Sequence, residues 1–148
     1  MTDVGVEDRE LLRAVVRDAL GQLSASRDVR RAMATARGYE ESAWRRLSQE
    51  LGLPGLIVPE EYGGAGLTVR ELGIAIEEAG ASLLCAPLFS TTALALPLLT
   101  SLADEEALAT WGPGIASGEL TATVALAEDA GRWNLATVAT TATRQPDG

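Results

Sequence analysis

Leu56 to Gly80 reads L-I-V-P-E-E-Y-G-G-A-G-L-T-V-R-E-L-G-I-A-I-E-E-A-G. A short apolar run, Leu56-Ile57-Val58, meets Pro59 and then a loop with Gly63, Gly64 and Gly66, after which the start signals of a helix are explicit. Thr68 is the natural N-cap and Glu71, three residues on, completes a capping box, while Leu67 before the cap and Leu72 at the fourth helical position form a hydrophobic staple. Gly80 stands where a helix takes its left-handed terminating residue.

Working outward toward the N-terminus, Leu11, Leu12, Val15, Val16, Ala19, Leu20 and Leu23 recur at helical spacing, which predicts an amphipathic helix over Glu7–Leu23 with Glu10, Arg13, Arg17 and Asp18 outward. A shorter helix is expected over Asp28–Arg37, stopping at Gly38. The next starts at Ser42 as cap, places Trp44, Leu47 and Leu51 on one core face and ends at Gly52. On the other side, Ala81–Ser101 is apolar nearly throughout. Pro87 precedes or starts a helix and Pro97 ends or kinks one, so a buried helix is expected near Ser90–Leu99. Ser101 and Asp104 then cap a helix over Leu102–Trp111, closed by Gly112 and Pro113. Beyond Gly118 the period changes to two: Thr121–Glu128 and Asn134–Arg144 read as strands, and Asp147-Gly148 is a hairpin turn signal. Two strands alone are marginal. The expectation is a mainly α chain with a helical domain over 1–118, followed at 119–148 by the first strands of an incomplete β domain, the front of something longer.

The totals narrow the function. Among 148 residues, 21 acidic side chains against 12 basic ones give a net charge of −9, which opposes binding to a polyanion. Nucleic acid is not an expected partner. With Cys85 as the single cysteine and no histidine, neither an intrachain disulfide nor a Cys/His metal cluster nor a His-based triad can form. No metal is expected. The charged N-terminus lacks the apolar core of a signal peptide, and no apolar run reaches the roughly 18 residues of a membrane span, so a cytoplasmic setting is expected.

Individual candidates for chemistry are weak. The three loop glycines lack phosphate-loop spacing and follow two carboxylates, so they read as a structural turn. Glu60 and Glu61, adjacent on a loop, diverge and read as solvated charge, and Glu77 and Glu78 read as helix surface. Cys85, among Leu83, Leu84, Ala86 and Pro87, has no basic neighbour to make a thiolate and reads as an inert buried thiol.

The tract G-L-x-x-L-x-V-P-E-E-Y-G-G-A-G-L at Gly52–Leu67, with E-L at Glu71-Leu72, I-E-E-A-G at Ile76–Gly80, E-E at Glu105-Glu106 and W-G-P-G-I-A-S-G-E-L at Trp111–Leu120, resembles the acyl-CoA dehydrogenases over essentially the whole chain. The resemblance implies the family's N-terminal helical bundle followed by a β domain. It also implies FAD as cofactor, an acyl-CoA as substrate and α,β-dehydrogenation, in which a glutamate takes the α-proton and the β-hydrogen leaves as hydride to the flavin. By position it places Thr91, Leu94 and Ala95 beside the acyl chain, and Leu126, Ala127, Gly131 and Trp133 in the flavin region. That Trp133 stacks on a ligand or fills the space of a flavin are both open.

The family's catalytic glutamate belongs to a C-terminal domain outside this sequence, so no residue here is named as catalytic. Where the family carries T-E-P-x-A-G-S-D, this sequence has Ala127, Glu128, Asp129, Ala130, Gly131, Arg132, Trp133 and Asn134: the flavin-binding threonine is Ala127, the proline is Asp129, and the Ser-Asp pair is gone. This degeneracy is similar to that of partner subunits in actinobacterial heterotetrameric members. The implied function is a component of a flavin-dependent acyl-CoA dehydrogenase, a degenerate subunit or fragment inactive alone. Its implied context is a homo- or hetero-tetramer with a catalytic subunit, with an electron-transferring flavoprotein as acceptor. The alternative is a non-enzymatic helical interaction module that buries its Leu83–Leu99 face against a partner chain.

Overall fold

The structure, a computed structural model, describes residues 5–102, 105–128 and 134–143. Helices α1 (Val6–Leu23), α2 (Ser26–Met33), α3 (Glu41–Gln49) and α4 (Val69–Ala81) come first. A π-helical turn at Phe89–Ala95 then runs directly into α5 (Leu96–Ser101), and α6 (Glu105–Ala116) follows. Short 3-10 turns lie at Leu53–Gly55, Glu60–Tyr62 and Leu135–Thr137.

The Leu56-Ile57-Val58 run is the hinge between two apolar cores. Leu56 belongs to a core with Val16, Leu20, Trp44, Leu47, Leu53, Ala75, Ala79 and Leu88, whereas Val58 belongs to a second with Leu96, Ile115 and Ala116. Ile57, between them, packs on both. The glycine loop folds back over this run through backbone bonds from Ala65 to Gly55, Gly66 to Val58 and Leu67 to Leu56, each 2.9 Å. A Cβ on Gly64 would overlap the Val58 carbonyl, and Gly63 and Gly66 hold φ of 83° and 60°. Only glycine takes both roles at low cost.

Helix α4 starts as its sequence dictates. Thr68 Oγ1 accepts from the Arg70 amide at 3.2 Å, and the Glu71 carboxylate accepts from the Thr68 amide at 3.0 Å, closing the capping box. Its end differs from expectation. Gly80 lies inside the helix, and the left-handed residue is Leu83, at φ 53°. Leu83 donates back to Gly80 O and Leu84 to Ala79 O, the paired bonds of a Schellman motif. The later end brings Leu84, just past the left-handed turn, against the first core, and Leu83 takes the conformation that glycine would hold more cheaply.

Other helix ends shift for similar reasons. Helix α2 stops at Met33 rather than Arg37. Helix α3 is capped at Glu40, not Ser42, with no side-chain cap bond, and the left-handed Gly52 closes the turn after it. The Ser101–Asp104 capping box falls partly outside the described residues. Gly112 and Pro113 do not end α6, which continues to Ala116 before left-handed Gly118. Ile115 and Ala116 gain burial in the second core by that extension, and this outweighs the one backbone bond that Pro113 cannot make. At Pro97 the wide π turn ends just ahead of the ring, with the Leu96 amide bonded five residues back to Thr91 O, so the ladder changes over next to the missing donor.

The two expected strands are not formed among the described residues. Over Thr121–Glu128 burial does alternate, with Ala122, Val124, Leu126 and Glu128 half-buried and the residues between them exposed, but no backbone ladder accompanies it. An alternating segment needs neighbouring strands to satisfy its amides, and none lies beside it among the described residues.

Helices α1 and α4 form the largest interhelical contact. Arg9 Nε reaches Glu71 Oε1 at 2.7 Å; Arg13 reaches Glu77 at 2.7 Å and Glu78 at 2.8 Å; Arg17 reaches Glu78 at 2.8 Å. This corrects two expectations: Arg13 and Arg17 do not point simply outward, and Glu78 is buried rather than surface, although Glu77 is exposed. The two partners of these hydrogen bonds stand 62, 65 and 61 residues apart, a near-constant offset, so the helices run parallel.

Candidate functional site

Two buried threonines on the π turn are used differently. Thr92 Oγ1 donates to Leu88 O at 2.7 Å within its own helix. Thr91 reaches across 31 residues of chain, its Oγ1 accepting from the Ala122 amide at 3.1 Å and donating to the Ala122 carbonyl at 3.3 Å. A side chain thus provides both bonds that a neighbouring strand would have given Ala122. Ala122 itself packs on the second core.

Beside this clasp lies an apolar cavity of about 280 Å³. Ala95 from the π turn and Leu98 and Leu99 from α5 form one wall, Trp111 and Ile115 from α6 a second, and Leu120, Thr121, Ala122 and Thr123 the third. No charged side chain lines it. This apolar pocket is open to solvent along Leu98, Trp111 and Leu120, and its lining suits a hydrocarbon group better than an ion. Of the positions expected beside an acyl chain, Ala95 lines this cavity directly, Thr91 is fully buried with its hydroxyl held by Ala122, and Leu94 is half-buried on the same turn outside the lining. Sequence reading passed over Leu98, Leu99, Trp111 and Leu120–Thr123. The signal available for them was an aromatic residue followed by small ones, W-G-P-G, taken as a helix end.

The flavin positions are less complete. Leu126 is half-buried and Ala127 exposed, while Gly131 and Trp133 lie outside the described residues. The neighbouring Glu128 carboxylate accepts from the amides of Ala139 at 2.9 Å and Thr140 at 2.8 Å and from the Thr140 hydroxyl. These bonds, led by that from the Thr140 hydroxyl, hold the carboxyl below its ordinary range. Leu126 and Ala127 bring no side-chain donor, and the polar group beside them is an anion already engaged by this chain. Leu126 and Ala127 therefore offer an isoalloxazine ring no side-chain hydrogen bond.

The strongest electrostatics lie away from the cavity. Burial pushes the Glu71 carboxyl up, but hydrogen bonds from Arg9, the Thr68 hydroxyl and the Thr68 amide outweigh it and hold the group at about 2. Glu78, bonded first by Arg17 and then by Arg13, is likewise held at about 2. Both stay ionised with their acceptor sites filled, which suits them to hold helices together and not to move protons. Cys85 is half-buried, its Sγ 3.9 Å from Val29 O and 3.8 Å from Leu83 O. Among the described residues no group of acidic, cysteine or histidine side chains could hold a metal ion, and no helix is long and apolar enough to cross a membrane.

Residues 6–119 match the family model described as acyl-CoA dehydrogenase, N-terminal domain. The chain belongs to the acyl-CoA dehydrogenase family. It is 39% identical over 115 residues to the acyl-CoA dehydrogenase IpdE2 of Mycobacterium tuberculosis, covering 77% of this chain and 36% of that protein. It is 31% identical over 150 aligned positions to the acyl-CoA dehydrogenase FadE12 of the same organism, covering 97% of this chain and 37% of that protein. Among solved structures, a steroid acyl-CoA dehydrogenase, the Tcur3481-Tcur3483 G363A variant, superposes with a TM-score of 0.70 at 29% identity, over 83% of this chain and 33% of that one. The chain therefore spans about a third of the length of the acyl-CoA dehydrogenases it matches.

Proposed function

We propose that this chain supplies the helical wall of the acyl site in a flavin-dependent enzyme that introduces an α,β double bond into an acyl-CoA thioester. It does so as a subunit or fragment that does not turn over by itself. The observation that carries this reading is the uncharged cavity between the π turn with α5, helix α6 and residues 120–123, one wall of which comes from the helix that the resemblance puts beside the acyl group. Ala95 touches the hydrocarbon directly, Leu94 extends the wall, and Thr91 acts through Ala122. Residues 1–118 serve as the helical unit and 119–148 as the lead into a second one. In this reading FAD, the proton-abstracting carboxylate and the contact with an electron-transferring flavoprotein come from a catalytic subunit in a tetramer, which the lack of a side-chain flavin donor at Leu126 and Ala127 supports. A cytoplasmic setting goes with a soluble acyl-CoA substrate. That the solved relative is a steroid acyl-CoA dehydrogenase supports a bulky, apolar acyl group. The test is to purify the 148-residue chain alone and with candidate catalytic subunits, and to measure flavin absorbance and acyl-CoA oxidation. Activity is expected only in the mixed complex; flavin content and turnover by the chain alone would overturn the proposal.

A second reading, a non-enzymatic module docking on a partner, draws on Leu83 and Phe89, which are 71% and 56% exposed. It predicts a complex of defined mass that carries neither flavin nor acyl-CoA oxidation with any partner.

A further inference from the structure

Among the described residues, the Thr91 hydroxyl makes the only hydrogen bonds that tie positions 121–127 to the helical body. Leu120 donates to Gly114 O at 2.8 Å just before, and Glu128 binds Ala139 and Thr140 just after. Between those points the segment supplies one whole wall of the cavity. Burial of Thr91 is complete, so its hydroxyl has no solvent to fall back on, and Ala122 has no backbone ladder to replace it. Another wall begins at Ala95, one turn further along the same helix. One residue therefore sits on the helix that forms one wall of the cavity while gripping the backbone that forms a second.

We propose that Thr91 is a positioning residue that sets the width of this cavity by clasping Ala122, and so governs which hydrocarbon groups the chamber admits. The proposal rests on the acyl-site reading above for the identity of the ligand, but the clasp itself does not. Thr91→Val keeps the side-chain volume and abolishes both bonds to Ala122; Thr91→Ser keeps the hydroxyl and removes only a methyl. The two variants separate hydrogen bonding from packing.

The experiment is amide hydrogen exchange by NMR on the 148-residue chain, combined with a titration of octanoyl-CoA followed at the Leu98 and Leu99 methyl groups. In Thr91→Val the Ala122 amide is expected to exchange about tenfold faster or more, while the Leu96 and Ile115 amides stay within about twofold of wild type. Thr91→Ser restores protection. Octanoyl-CoA binding is expected to weaken about fivefold or more in Thr91→Val and to recover in Thr91→Ser. Unchanged exchange at Ala122, or an equal rise at Ala122, Leu96 and Ile115, overturns the clasp. Equal octanoyl-CoA affinity in all three proteins overturns its control of the cavity. If wild type shows no methyl shifts with octanoyl-CoA, the acyl-site reading falls, and exchange at Ala122 still decides the clasp. Should Thr91→Val not fold, Thr91→Ala is measured in the same way with the same expected pattern.

Discussion

Replacing Glu71 by Gln isolates the charge of a buried carboxylate while keeping its shape. Oε1 takes a bond from Arg9 at 2.7 Å and Oε2 takes one from the Thr68 amide at 3.0 Å, with the side chain only 1% exposed. Glutamine has a single carbonyl oxygen, so its NH2 must face either Arg9 or the Thr68 amide, donor against donor. One charge-assisted bond, about 1.5–3 kcal/mol, is lost and a donor is stranded, which places the total near 2–3 kcal/mol at neutral pH. For a chain of this size that is a fall in Tm of about 4–12 °C. The sign with pH follows from the depressed group: its carboxyl is held at about 2 in the fold against the ordinary 4.5. The advantage of wild type over Glu71→Gln is fully present above pH 4.5 and shrinks as pH falls toward 2. Urea unfolding followed by circular dichroism at pH 6.5, 4 and 3 reads both quantities. A difference under about 0.5 kcal/mol at pH 6.5 would refute the reasoning, as would a difference that does not narrow between pH 4 and pH 3.

Two other substitutions test the backbone. Leu83→Gly relieves a left-handed residue at the end of α4 and is expected to raise stability by about 0.5–1 kcal/mol, the strain removed less the entropy glycine adds to the unfolded chain; a loss on thermal denaturation contradicts this. Gly64→Ala drives a methyl into the Val58 carbonyl and is expected to cost about 2–3 kcal/mol or more in urea titration, so a neutral result would show that the loop does not sit on the apolar run as described.

How much of this was legible in the sequence depended on distance along the chain. The capping box of Thr68 and Glu71 is a matter of three residues, and both bonds are present. The second role of Glu71, with Arg9, spans 62 residues and left no local mark. Glu78 failed for the same reason: on one helix it reads as a solvated charge, and only the parallel approach of α1 buries it between Arg13 and Arg17. Gly80 and Gly112 read as terminators because local rules weigh backbone preference alone, whereas the helices run on, so that Leu84 after α4 and Ile115 within α6 reach their cores. For the candidate site, Ala95 was accessible from family position. The clasp of Thr91 on Ala122 was not, because nothing local distinguishes it from Thr92.

The face that α1 turns to α4 repeats every four residues: Arg9, Arg13 and Arg17 in one row, Leu12, Val16 and Leu20 in another. A slide of four residues, about 6 Å, would therefore leave most of the interface looking like itself. Moved one way, Ser24 would enter the fully buried place of Leu20 and Gly21 would stand where Arg17 stands. Moved the other way, Asp8 would replace Leu12 against the core, and Gly5 would come opposite Glu71, leaving that carboxylate without a cation. The middle of the helix thus says little about alignment, and its two ends say nearly all of it. Substitutions at Arg13 should weaken the contact without changing it, whereas the first turn of α1 and its last residues fix the alignment.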